Sequence, residues 1–185
     1  MVGFGRKQTW LAVRDGDPAA VRAVLGLRDL GPVAWRAGID LAYLTDDRVV
    51  LTPPLGASWL LLTGQWLWRA ADAFPVARLS AELGTEVHRY GSYRVGERHE
   101  WDRAVDGRLV RSFAYVGETG ELVRWIGEPD PAERDLGLPA QPPDDDADLI
   151  VGESDVMRLA GRWSVDPTAL EGQPAPGPLR VAAPA

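Results

Sequence analysis

The chain has 185 residues, eight tryptophans, 45% hydrophobic residues and a formal net charge of −7. That length and apolar content fit one domain with its own core, and the absence of cysteine excludes disulfides, thiolate metal sites and thiol nucleophiles together. The negative charge argues against a nucleic-acid partner, which needs clustered Lys and Arg to displace counterions, and it complements a basic protein instead.

In chain order, residues 10–13 predict a short strand ended by Asp15-Gly16. Asp17-Pro18 then opens a helix, because Asp accepts an orphan amide and Pro at the first helical position has none to orphan; Gly26 is its expected stop. A second helix is expected over residues 32–43, where Trp35, Ile39 and Ala42 recur at helical spacing. Residues 48–52 and 59–64 predict an antiparallel strand pair, the second apolar on both faces and therefore central. Residues 65–69 fit helix or strand. A third helix is expected from residue 74 or 75 to Leu83, with Gly84 as its left-handed terminator.

From Glu86 the pattern turns to consecutive strands, and Asp130-Pro131 starts a short helical turn. The fold class expected is α+β: an antiparallel sheet of about five to six strands, ending in a meander, packed with three to four helices. The expected organisation is a single α+β domain over 1–137, a Pro/Asp-rich linker over 138–152, a C-terminal helix over 153–171 packing on the domain, and a disordered tail over 172–185. No apolar run approaches a membrane span and no apolar leader follows residues 1–7, so a soluble, cytoplasmic protein is expected.

The stretch 86–126 holds both histidines. Asp106-Gly107 is a two-residue hairpin signal, since a type I′ turn needs positive φ at both positions. That turn predicts the pairs Val105/Arg108, Asp102/Arg111, Trp101/Ser112, His99/Ala114 and Glu97/Val116. One face then carries Tyr93, Val95, Glu97, His99, Trp101, Val110, Ser112, Ala114 and Val116, and reads as the core side. The other carries Arg94, Arg98, Glu100, Asp102, Leu109, Arg111, Phe113 and Tyr115. A slip of one residue would exchange the faces.

Several blocks recur together: Leu51-Thr52-Pro53-Pro54 before a Trp-led strand, Tyr93-Arg94-Val95 with Glu97, His99, Glu100 and Trp101, Phe113-Ala114-Tyr115 with Gly117-Glu118 and Gly120-Glu121, and Asp155-Val156-Met157 with Ala160 and Trp163-Ser164-Val165-Asp166-Pro167. As a set, over roughly residues 49–170, they resemble a family of uncharacterised bacterial proteins. The resemblance implies a stand-alone bacterial domain and carries no known activity over to this chain.

Glu97 and His99 at i and i+2 could form a general base with its orienting partner, or two of three metal ligands with Glu86 or His88 as supplier of the third. Hydrogen-bonded structural groups are the competing explanation. The opposite face, with Arg94, Arg98, Glu100, Arg111, Phe113 and Tyr115, offers the arginine and aromatic anchors that dominate protein interfaces; a solvated sheet face is the alternative. Trp59, Trp66 and Trp68 could line a groove or simply pack. The segment 117–121 lacks the lysine and following helix of a phosphate loop. Ser154 and Ser164 have no histidine at a motif spacing, and Asp144 to Asp146 lack calcium-loop spacing. No cofactor and no metal is expected. The function expected is therefore non-catalytic binding of another protein, of the kind performed by toxin-neutralising immunity proteins or accessory subunits. A small hydrolase or small-molecule-binding enzyme built on Glu97 and His99 is the alternative.

Overall fold

The computed structural model describes residues 1–142 and 151–185. In chain order, β1 (Thr9–Arg14) ends at Asp15, held at φ 47°. Asp17 caps α1 (Pro18–Val24), its carboxylate accepting from Ala19 N at 3.2 Å and Ala20 N at 3.1 Å. There follow β2 (Leu27–Val33), α2 (Trp35–Leu44), β3 (Val49–Leu51), β4 (Trp59–Thr63), α3 (Gln65–Arg69) and α4 (Val76–Leu83). Gly84, at φ 64°, terminates α4 as glycine can at no steric cost. The strands β5 (Val87–Tyr93), β6 (Arg98–Val105), β7 (Arg108–Val116) and β8 (Glu121–Ile126) run as a meander. Asp130 and Glu133 form a capping box on α5 (Pro131–Asp135). The chain continues through α6 (Glu153–Trp163), a 3-10 turn (Pro167–Leu170) and β9 (Leu179–Pro184).

All nine strands join one antiparallel sheet in the order β2-β9-β3-β4-β1-β5-β6-β7-β8. Side chains alternate across the strands, so each strand feeds two cores. Trp10, Ala12, Trp59, Leu61, Tyr90 and Trp101 face α2 and α6; Leu11, Val13, Leu60, Leu62 and Val87 face α1, α3 and α4. β1 and β4 are covered on both sides, which explains why residues 59–63 are all buried.

The fold class is thus α+β with one antiparallel sheet, but with nine strands and six helices among the described residues, more than the five to six and three to four expected. Two strands account for much of the difference. Residues 27–33, expected between helices, form β2, and α2 starts at Trp35, after Pro32. Residues 179–184, expected within a disordered tail, form β9, inserted between β2 and β3 with Leu179, Ala182 and Ala183 buried. Pairing on both sides overrides a Pro/Ala-rich composition there. Residues 143–150, which include Asp144 to Asp146 and most of the expected linker, lie outside the described residues.

Three bulges interrupt the ladders, at Leu30 in β2, Val110 in β7 and Val123 in β8. Each is an extra residue without a cross-strand partner, and each is an exposed large hydrophobe. The Val110 bulge corrects the expected hairpin. The Asp106-Gly107 turn is present, with φ 50° and 74°, and Val105 pairs with Arg108. Beyond Val110 the register slips by one, so Trp101 faces Phe113, Asp102 faces Ser112 and His99 faces Tyr115. Arg111, Phe113 and Tyr115 therefore share the face of Trp101 and His99, while Ser112 and Ala114 join Glu100 and Asp102. Gly127 (φ 74°) crosses this bulge so closely that a Cβ there would lie 2.1 Å from the Val110 carbonyl oxygen.

Candidate functional site

Glu97 and His99 are not brought together as a catalytic pair. Glu97 sits at φ 48° in the turn between β5 and β6, exposed, whereas His99 lies on β6 beneath α6 and is buried. The Ser92 hydroxyl, 3.5 Å from His99 Nδ1, is itself 3.1 Å from Glu153 Oε1. No hydrogen bond joins Glu97 to His99 among the described residues, and burial pushes the His99 pKa down. No three His, Asp or Glu side chains among the described residues converge to hold a metal ion.

The six residues expected on one binding face are also divided. Arg94 is exposed in the turn before β6. Arg111, Phe113 and Tyr115 are buried. Phe113 stacks on Trp101 at 4.1 Å between ring centroids, and the Arg111 guanidinium lies 4.3 Å over the Trp125 ring. Arg111 Nε donates to Glu133 Oε1 at 2.9 Å, an oxygen that also accepts from Trp101 Nε1 at 3.0 Å. Arg111 is thus an internal cation that anchors α5, and the expected Asp102/Arg111 pair does not form. Arg111, Phe113 and Tyr115 lie together on the buried face of β7, and only Arg98 and Glu100 remain on the expected one.

On the α6 side, a buried chain runs from Ser164 through Tyr90 and His88 to Glu86. Ser164 Oγ is 3.1 Å from Tyr90 Oη, which is 3.0 Å from His88 Nδ1; His88 Nε2 is 2.9 Å from Glu86 Oε1. Glu86 also accepts from Arg103 Nε at 2.7 Å and meets Arg14 Nε at 3.0 Å. The hydrogen bond from His88, then that from Arg103, holds the Glu86 carboxyl down at about 2. An ionised Glu86 can only accept, so Nε2 carries the His88 proton and Nδ1 is left to accept from Tyr90. Burial lowers the His88 pKa and raises that of Tyr90. The rings of Trp59 and Trp163 flank His88 at 4.8 and 5.5 Å. Ser164, Tyr90, His88 and Glu86 resemble a relay, but the imidazole is fully buried and enclosed by these rings.

The opposite face of β5–β8 does open to solvent. Two adjoining hollows of about 480 and 240 Å³ share Ala71, Asp72, Arg89 and Arg124, and lie between the sheet and the segment joining α3 to α4. Their floor is set by strand register: Arg89 on β5 and Ser112 on β7 flank Asp102 on β6, while Gly91 and Ala114 flank Glu100. Gly91 is required because a Cβ there would come within 2.9 Å of Glu100 Cγ. Asp102 receives Arg89 Nε at 2.9 Å and Nη2 at 2.6 Å, Arg124 Nη2 at 3.1 Å and the Ser112 hydroxyl. Glu100 Oε2 receives Arg98 Nε at 3.2 Å and Nη2 at 3.0 Å, with Arg124 Nη2 3.8 Å away. Arg98 in turn lies 5.0 Å over the Trp68 ring.

Arg89, Arg124, Ser112 and Trp68 were not legible as members of one site. Arg89 would have been found by recognising residues 94–97 as the β5–β6 turn, since that turn sets Arg89 opposite Asp102. The alternation of β7, with Val110 included, places Ser112 on the wrong face. No helix among the described residues is long and apolar enough to cross a membrane. Comparison with protein-family models, with curated proteins and with solved structures finds no match, so the site is read from its own geometry.

Proposed function

We propose that the chain is a non-catalytic binding protein that engages another protein through the β5–β8 face around the arginine-lined cleft. The observation that carries this is the state of the two floor carboxylates: Asp102 and Glu100 are buried and held by the guanidiniums of Arg89, Arg98 and Arg124. A carboxylate held by guanidiniums in that way serves as a structural counter-charge. Arg98 and Arg124 keep about a third of their side-chain surface exposed, 32% and 29%. Exposed arginine beside a tryptophan is a residue combination enriched at protein interfaces. The net charge of −7 favours long-range approach of a basic partner, and the cleft supplies the local anchor. An immunity protein or an accessory subunit is the class of small stand-alone binder that this arrangement fits.

The test is affinity capture from a bacterial host with wild type, an Arg98→Glu/Arg124→Glu double variant and a control at the exposed Arg36 (Arg36→Glu). The expected result is a partner recovered stoichiometrically by wild type and by the control, and lost by the double variant although it remains folded. Equal recovery by all three proteins, or no stoichiometric partner for any, would count against the proposal.

A further inference from the structure

We infer that the cleft is an oxyanion site, and that the group it takes from a protein partner is a carboxylate side chain. This rests on the binding function proposed above and adds the chemistry of the anchor.

The basis is an inventory of donors and acceptors. Arg98 and Arg124 bring ten N–H donors between them, five per guanidinium, and no acceptor. Asp102 is already filled by Arg89, Arg124 and Ser112, and Glu100 Oε2 already faces three guanidinium nitrogens. Arg124 Nε is buried and has no acceptor among the described residues. The larger hollow is lined by four arginines, Arg69, Arg89, Arg98 and Arg124, against two carboxylates, Asp72 and Glu100, so cationic donors outnumber anionic acceptors there. Unmet donors on partly desolvated guanidiniums are matched by a planar, two-oxygen anion, which arginine receives through paired parallel hydrogen bonds. A volume of about 480 Å³ lies within the ~300–1,000 Å³ of small-ligand sites, and so admits one acidic side chain with its flanking backbone. Trp68, under Arg98, fixes the guanidinium plane from the other side.

Titration of the full chain with glutarate, inorganic phosphate and arginine amide, followed by the 15N–1H signals of the arginine Nε groups and by tryptophan fluorescence, tests this. Saturable shifts of Arg98 and Arg124 Nε with glutarate, absent with arginine amide and weakened at least tenfold in a folded Arg124→Gln variant, are expected. No saturation by glutarate, equal response to arginine amide, or binding of phosphate alone would overturn the carboxylate assignment. Failure here is separable from failure of the binding function: if glutarate does not bind yet the double charge reversal still abolishes partner capture, only the anchor chemistry is wrong. If glutarate binds and capture is indifferent to the reversal, the cleft serves a free small carboxylate, and a protein source is excluded.

Discussion

At Glu133 a single carboxylate meets three separate needs: it closes the α5 capping box, receives the Trp101 indole and balances Arg111. Gln at that position keeps the size but leaves a buried guanidinium without counter-charge. Breaking a buried pair from one side costs about 3–5 kcal/mol, so Glu133→Gln should lose stability of that order in urea unfolding, and a loss within experimental error would show that Arg111 is compensated elsewhere. Gly91 is the corresponding test for the cleft. In Gly91→Ala the new Cβ meets Glu100 Cγ at 2.9 Å and Oε1 at 3.1 Å, which displaces the carboxylate that holds Arg98. Glutarate affinity should fall by roughly tenfold, about 1.4 kcal/mol, while cooperative unfolding is retained. Unchanged affinity would mean that Arg98 does not depend on Glu100 for its position.

Among the elements, the β6–β7 hairpin separates what was legible in the sequence from what was not. Local chemistry was legible: Asp106-Gly107 as a turn, Asp17-Pro18 and Asp130-Pro131 as helix starts, Gly84 as a stop. Each of these acts within a few residues of itself. The Val110 bulge was not, because an extra unpaired residue leaves the alternation of its neighbours intact while exchanging their faces. An apolar residue at the bulge even strengthens the wrong register, and Leu30 and Val123 repeat the pattern. The β9 strand was hidden for a different reason, since its partners lie far away in sequence and its own residues are small. A pair of substitutions tests the register directly. Phe113→Ala, which removes the ring stacked on Trp101, should cost about 3–5 kcal/mol in chemical denaturation. Val110→Thr should stay within about 0.5 kcal/mol of wild type. In the unbulged hairpin Phe113 would lie on the other face, away from Trp101, so a small effect at Phe113 would refute the slipped register.

For the molecule as a whole, acid is the sensitive variable. His88 and His99 are held neutral by burial, with pKa values below the ordinary value. The unfolded chain takes up those protons near pH ~6.5, so their contribution to stability is complete above that pH and is lost as pH falls through the lowered folded values. Glu86 adds a second, more acidic step. Its carboxyl, held at about 2, contributes fully above the unfolded value of ~4.3 and loses that contribution as pH falls toward 2. The urea midpoint should therefore be level from neutral pH down to about 6.5 and decline below it. A His88→Gln variant should flatten the upper part of that decline. An identical profile in the variant would mean that His88 is not the group responsible.

The position of β9 bears on the order in which the protein assembles during synthesis. Among the described residues β2 pairs only with β9, and β9 bridges β2 to β3, so residues 27–33 emerge from the ribosome long before the strand they need. The β5–β8 hairpins, whose contacts are local, can close while the chain is still being made. The opposite margin of the sheet is sealed only when residues 179–184 thread between two waiting strands. Ribosome-stalled chains that end before Leu179 should resist protease across β5–β8 yet be cut by trypsin at Arg28; protection at Arg28 in such chains would show that β2 has a partner before β9 arrives. Until that insertion, the two strand edges that β9 later covers stand open, one on β2 and one on β3, and their exposure to mispairing is set by the time taken to reach residues 179–184.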